Sequence, residues 1–350
     1  MKRVLFFGIY DPAYARSIIV REGFEANGYE VVECRVDARA EYGARKYLTL
    51  FNQGRVLRHE SFEHILVLFP GHTVVWLARL LFGRDIIFDA FVSLYDSNVD
   101  DRKRYAAHSF RAYRDRLLDW SSCLLAHTVL VDTDAQKQYF IKRIGVPGKK
   151  LIVVPVGASK AWFDAGEAVP HGSSASLRIG FYGSYIPLHG VEHIVRAADI
   201  LRHELITFEI IGDGQEYARM QELVRALGGL PNVMFLPKVS RDELIVRVQG
   251  FDMCLGIFGT TEKASRVIPN KVYECAALGK PIITADTPGI REMFTQGENI
   301  FLCANTPAAL ARAIMTLAHD DALRTRLGRE ACALLRARFS PKSSKNALDP

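Results

Sequence analysis

No disulfide framework can be read from this 350-residue chain. Its six cysteines (Cys34, Cys123, Cys254, Cys275, Cys303 and Cys332) are dispersed, sit mostly in apolar runs and form no C-x-x-C pair. That usage fits a reduced, cytoplasmic compartment. No Cys/His cluster has metal-ligand spacing, so no metal is expected. The absence of Gly-x-x-x-x-Gly-Lys-Ser/Thr argues against a P-loop nucleotidase. A long unbroken apolar run is also missing. The stretch over 65–82 is interrupted by Pro70-Gly71-His72 and contains Arg79, so it reads as a strand and a helix rather than a membrane span. The N-terminal MKRVLFFGIYDP starts as a signal peptide would, but its apolar run is short and meets Asp11; it reads as a first strand. A net charge of +6 is modest, and no nucleic-acid partner is expected.

What is present is ordinary globular material: 49% hydrophobic and 24% charged residues, in a length that suits two domains. Short apolar runs alternate with helical periodicity. Strands are expected over 4–7, 30–34, 65–69, 86–89, 129–131 and 152–154, then over 179–182, 207–211, 233–236, 253–255, 282–284 and 300–303. Helical patterns lie between them, among them 14–27, 108–125, 135–144, 191–203 and 270–278. Such alternation means parallel sheets with helices on both faces, an α/β class. The segment 155–177, with His171-Gly172-Ser173-Ser174, has linker composition. After it Arg178-Ile179-Gly180-Phe181-Tyr182-Gly183 restarts as Arg3-Val4-Leu5-Phe6-Phe7-Gly8 began. The expected domains are therefore 1–165 and 175–335.

The most informative stretch is 266–292, RVIPNKVYECAALGKPIITADTPGIRE. It reads as loop, helix, tight turn, strand and loop. Pro269 suits a first helical turn, where its missing N–H has no partner to lose. Gly279 ends the helix where φ > 0 is usual. Lys271 and Glu274 lie three apart on one face near the helix start. A cation and a carboxylate at a helix N-terminus, at the carboxyl edge of a sheet, make a candidate nucleotide site.

Pro269, Glu274, Gly279, Lys280 and Pro281 resemble the donor-site signature of family 4 retaining glycosyltransferases, which have the GT-B fold. That signature is Glu, seven residues, Glu, followed by a Gly-Lys-Pro strand; here Arg266 stands in place of the first Glu. The resemblance extends from about 178 to 305. It implies two doubly wound Rossmann-like domains facing across a cleft, the second binding the nucleotide sugar. It also implies metal-independent transfer of a sugar from a nucleotide diphosphate sugar to an acceptor hydroxyl, with retained anomeric configuration. The co-substrate is the nucleotide sugar, with no further cofactor. By family tendency the acceptor is a saccharide or lipid-linked sugar in bacterial polysaccharide, lipopolysaccharide or glycolipid assembly.

Carried over position by position, the resemblance assigns the loop Gly183, Ser184 to His189 to the donor diphosphate. Ser184 and His189 stand where the family has an Arg and a Lys. Gly212 and Gly214 border the nucleoside, with Asp213 expected to cap the next helix. Val239 marks the loop that meets the base, and Asn270 opens the signature helix. Glu274 is assigned the ribose hydroxyls, which a carboxylate can accept in pairs. Arg266 cannot accept from a sugar but can hold a diphosphate bidentately. Arg266 and Lys271 are therefore read as the catalytic cations that replace the two missing ones.

In the first domain, Gly8 and Tyr10 follow the first strand, with Arg16 beyond. Asp89 and Ser93 leave a later strand. These four, Gly8, Tyr10, Asp89 and Ser93, are the acceptor-side candidates, and His72 is a weaker one. Asp132-Thr133-Asp134 imitates a metal-binding Asp-x-Asp but reads as structural, with Asp134 a ready N-cap. Two basic stretches with interleaved aromatics, 42–58 and 102–116, suit peripheral contact with an anionic membrane at its cytoplasmic face; a stripe such as Tyr47, Leu48 and Phe51 equally suits a core. Two other functions stay open on these residues. The missing first Glu suits a non-catalytic nucleotide- or partner-binding protein, and the fold suits a nucleotide-sugar epimerase.

Overall fold

The computed structural model describes residues 2–37, 43–83, 85–166 and 176–339. Its contacts divide the chain after Val156. The first unit runs β1 (Lys2–Ile9), α1 (Ala15–Ala26), β2 (Tyr29–Val36), α2 (Arg45–Leu57), β3 (His64–Val67), α3 (Val75–Phe82), β4 (Ile86–Phe91), α4 (Phe110–Leu125), β5 (Thr128–Val131), α5 (Asp134–Tyr139) and β6 (Leu151–Val153). All strand pairs are parallel, in the order β2-β1-β3-β4-β5-β6. Alternation along β1 explains its continuous apolar run. Val4 and Phe6 enter one core cluster, Leu5 and Phe7 another, because helices cover both faces of the sheet.

The second unit begins with α6 (Lys160–Gly166) and continues β7 (Leu177–Tyr182), α7 (Val191–Ile200), β8 (Ile206–Ile211), α8 (Tyr217–Ala226), β9 (Val233–Leu236), α9 (Arg241–Gln249) and β10 (Met253–Leu255). Then come α10 (Glu262–Arg266), α11 (Asn270–Ala277), β11 (Ile282–Ala285), α12 (Pro288–Arg291), β12 (Phe301–Cys303), α13 (Pro307–Ala318) and α14 (Asp321–Phe339). Its parallel sheet has the order β12-β11-β10-β7-β8-β9. Ile179 and Phe181 of β7 sit at the centre of the larger core cluster, beneath α7 and α13.

Short polar residues start many of these helices. Ser109, Thr133, Ser240, Thr261, Thr287 and Thr306 each accept from the backbone N–H three residues on. Three expectations are corrected here. Thr133, not Asp134, caps α5, and Asp134 is its first residue. Asp213 caps nothing: α8 starts only at Tyr217, after Glu216. Pro269 is likewise the cap of α11 rather than part of its first turn.

The segment read as a linker holds a helix. Its residues Lys160–Gly166 form α6, in the second compact unit, whereas the sequence reading carried the first domain to 165. His171-Gly172-Ser173-Ser174 and Tyr42 lie outside the described residues. In the basic stretch of α2, Tyr47 and Phe51 pack against the first unit's core and Leu50 is buried, while Leu48 is exposed.

Candidate functional site

Counted from β7, the second sheet runs 3-2-1-4-5-6, so its crossovers reverse direction between β7 and β10. Loops leaving the carboxyl ends of those two strands part there, and open α/β sheets bind ligands at such a point. β7 ends at Tyr182, and Gly183 follows with φ +143°. A Cβ at Gly183 would lie 3.0 Å from His189 Cε1 and 3.2 Å from Lys271 Nζ. Three residues singled out from the sequence thus converge on one glycine, which leaves room for the lysine tip.

Lys271 sits in the first turn of α11 and is buried. Its ammonium lies 4.1 Å from the Phe181 ring centroid and has no hydrogen-bond acceptor among the described residues. Burial pulls its pKa down to about 7, with Cys275 and Glu274 opposing. One turn on, Glu274 is also buried, and the Tyr182 hydroxyl donates to its Oε2 at 2.7 Å. Burial raises the Glu274 pKa; Tyr182, Lys271 and Arg241 work against that shift. The arrangement is a cation and a carboxylate a turn apart, both desolvated, at the carboxyl end of a central strand.

Two residues of this arrangement escaped the sequence reading. Tyr182 orients Glu274, and Trp162 of α6 stacks on Tyr182 with centroids 6.2 Å apart and planes 10° apart. The available signals were an aromatic residue closing β7 just before Gly183, and the Trp162-Phe163 pair inside an apparent linker.

The remaining donor-side candidates build the loops around this centre. His189 Nδ1 faces the Ser184 carbonyl; a carbonyl only accepts, so Nδ1 carries the proton. His189 therefore ties down its own loop, and Ser184 is exposed. Gly212 and Gly214 are needed for close approach. A Cβ on Gly212 would lie 2.0 Å from the Gly183 oxygen, and one on Gly214 2.6 Å from the Tyr185 nitrogen. Gly190, φ +61°, lets the loop after β10 cross, since a Cβ there would lie 2.2 Å from the Phe258 carbonyl carbon. Val239 is half-buried between β9 and α9, and Asn270 is half-buried at the start of α11.

Arg266 ends α10 and pairs with Glu262 at 3.5 Å. Ala264 and Val267 cluster with Ile186 and Leu188, so α10 packs on the Gly183–His189 loop. The structure thus brings the helix of Arg266 to the Gly183–His189 loop but gives its guanidinium an acidic partner on that same helix. Lys280 of the Gly-Lys-Pro turn is structural: its Nζ donates to the Gln249 carbonyl at 2.6 Å.

In the first unit the acceptor-side candidates have internal partners. Gly8, φ +150°, lies inside β1 rather than after it, near the β1/β3 switch, and the Tyr10 hydroxyl donates to Glu33 at 3.0 Å. Asp89 is fully buried against Arg16 at 2.9 Å. Ser93 donates to Asp119 at 2.6 Å. His72 is buried 3.4 Å from Asp119, its pKa driven down to about 3 by burial.

Comparison with known proteins fits this geometry. Residues 172–333 match the family model described as glycosyl transferases group 1. The chain is 26% identical over 235 residues to D-inositol 3-phosphate glycosyltransferase of Kineococcus radiotolerans, covering 59% of this chain and 52% of that protein. It is 34% identical over 98 residues to the putative colanic acid biosynthesis glycosyl transferase WcaI of Escherichia coli, covering 28% and 24%. The chain thus spans about half the length of the first curated relative and less of the second. Among solved structures, HepE of Anabaena in complex with UDP and glucose superposes with TM-score 0.71 at 16% identity, covering 98% of this chain and 97% of that one. Sucrose-phosphate synthase of Thermosynechococcus elongatus gives 0.72 at 16%, covering 98% and 96%. With two six-stranded parallel sheets, the chain has the two-domain, Rossmann-like GT-B fold.

Proposed function

We propose that this chain transfers a sugar from a nucleotide diphosphate sugar to an acceptor hydroxyl, with retention at the anomeric carbon and without a bound metal. The observation that carries the reading is the buried Lys271 ammonium, which has no hydrogen-bond acceptor among the described residues and points at Gly183 beside the buried, Tyr182-oriented Glu274. A nucleotide sugar supplies what each group wants. The diphosphate neutralises the ammonium, and the ribose hydroxyls donate to the carboxylate. Retention and metal independence rest on the resemblance of residues 266–292 to retaining enzymes.

As the bond from the anomeric carbon to the β-phosphate oxygen breaks, charge gathers on that phosphate. Lys271 and the backbone N–H groups at the start of α11 are preorganised to receive it. The acceptor oxygen bonds to the anomeric carbon, and its proton passes to the departing phosphate oxygen. No residue is named as a general base. Arg266 is the second cation of the proposal. Its ion pair with Glu262 has one partner largely in solvent and is worth at most about 1 kcal/mol, so exchanging it for a diphosphate costs little. A saccharide or lipid-linked acceptor, in cytoplasmic assembly of a polysaccharide or glycolipid, completes the reading.

HepE was solved with UDP and with UDP-glucose, so these head the ligand panel. A nucleotide sugar is expected to raise the melting temperature, and transfer to a saccharide acceptor to yield a retained product by NMR, unaffected by EDTA. An inverted product or strict Mn²⁺ dependence would refute the mechanism. Binding without transfer would favour a non-catalytic protein. Glu274→Ala is expected to raise the donor KM about tenfold to a hundredfold, the worth of a hydrogen bond to a charged group, about 1.5–3 kcal/mol. Arg266→Ala should lower kcat/KM; unchanged donor affinity and turnover would remove it from the site.

A further inference from the structure

Helix α4 is built the wrong way round for a surface helix. Its outward side carries Phe110, Tyr113, Leu117, Trp120 and Leu124, each between 46% and 84% exposed. At 3.6 residues per turn these five fall within an arc of about 80°. Its inward side carries Ala112, Asp115, Asp119, Ser122 and Cys123, all buried.

The inward carboxylates are satisfied locally. Asp119 accepts from Ser93 and from the N–H groups of Leu94 and Tyr95. Asp115 accepts from Asn98, Tyr105 and Arg114. The acidic residues of α4 are thus turned inward, while Arg111, Arg114 and Arg116 are exposed. On the helical wheel Arg114 and Arg116 flank the apolar arc on its two sides. Lys103 and Arg104, just before the helix, are exposed as well. The neighbouring α3 adds exposed Trp76 and Leu80.

We propose that this outward face of α4 lies in the interface of an anionic lipid surface. Two properties select that occupant. An apolar arc edged by arginines matches acyl chains below and lipid phosphates around, and Trp and Tyr suit the boundary between them. A second copy of the chain fits poorly. Two-fold pairing of this face would set Arg114 and Arg116 against their own equivalents without an exposed acid on the helix to answer them. The proposal does not depend on the transfer reading.

The test uses the full chain with vesicles of phosphatidylcholine alone or mixed with phosphatidylglycerol. Of three tryptophans, Trp76 and Trp120 are exposed and Trp162 is buried, so emission reports on this face. Binding to the anionic vesicles with a blue shift, weakened by added salt, is expected. Leu117→Asp with Leu124→Asp should abolish it while the melting temperature holds, because both side chains face outward. Arg114→Gln and Arg116→Gln should each weaken it roughly fivefold. No binding to either vesicle, equal binding to both, or a dimer in sedimentation that the Leu117→Asp variant dissolves would overturn the proposal.

Discussion

Replacing Lys271 by methionine is expected to lower kcat/KM by about 10²–10³-fold, the usual loss when one preorganised group facing transition-state charge is removed. Methionine keeps much of the apolar stem against Phe181 and deletes the ammonium. The protein itself should gain slightly in stability, since a buried cation without an acceptor is a cost to the fold. That opposition, lost activity with retained or raised melting temperature, separates a functional lysine from a structural one. A fall in both would return Lys271 to the core.

The same lysine makes donor binding depend on pH. Its pKa is about 7 in the folded protein, against an ordinary value of 10.5. Between those values the unfolded chain holds a proton that the folded one lacks. This group's contribution to stability is therefore least below pH 7 and rises with pH up to about 10.5. Bound diphosphate reverses the cause by facing the ammonium with negative charge, so binding above pH 7 takes up a proton. Donor affinity should then fall by up to about tenfold per pH unit above 7, and the slope should vanish in Lys271→Met. Calorimetry of a nucleotide sugar in buffers of different ionisation enthalpy reads the proton directly. Observed heats that are the same in every buffer would remove the lysine from the diphosphate.

The architecture was legible because it is local. Apolar runs with helical spacers can only become covered parallel strands, and the restart at Arg178 marked the second sheet. That Gly183, Lys271 and Glu274 would lie together was legible because glycine at a strand end and charge at a helix start have few structural uses. Trp162 and Tyr182 were not. Their roles arise when α6 packs onto α11, and the composition around Trp162 reads as linker. The partners of Asp89 and Ser93 were not legible either. A polar residue leaving a parallel strand looks free in sequence, but each has a buried partner far along the chain, Arg16 and Asp119. Helix α4 misleads for a related reason, since an apolar stripe at helical spacing has the same period whichever way the helix is turned.

The second large effect follows from that distant pairing. Asp89→Ala is expected to destabilise the first unit by about 3–5 kcal/mol, because it takes the Asp89 carboxylate away from a buried guanidinium. Arg16 Nε and Nη2 both donate to the Asp89 carboxylate, while Nη1 donates to the Val154 carbonyl at 2.8 Å. One side chain of α1 thereby ties the end of β4 to the segment after β6. Losing the carboxylate breaks the bonds from Nε and Nη2 in the buried site beside Phe91. Replacing both partners, Arg16→Met with Asp89→Leu, should recover much of the loss, since apolar substitutes need no counter-charge. Urea unfolding of the single and double variants measures this difference. An acceptor-binding Asp89 would give another pattern: unchanged stability in Asp89→Ala with a raised acceptor KM. The buried geometry favours the stability effect, because a carboxylate with no exposed surface and two guanidinium bonds has nothing left to offer a sugar hydroxyl unless the pair first opens.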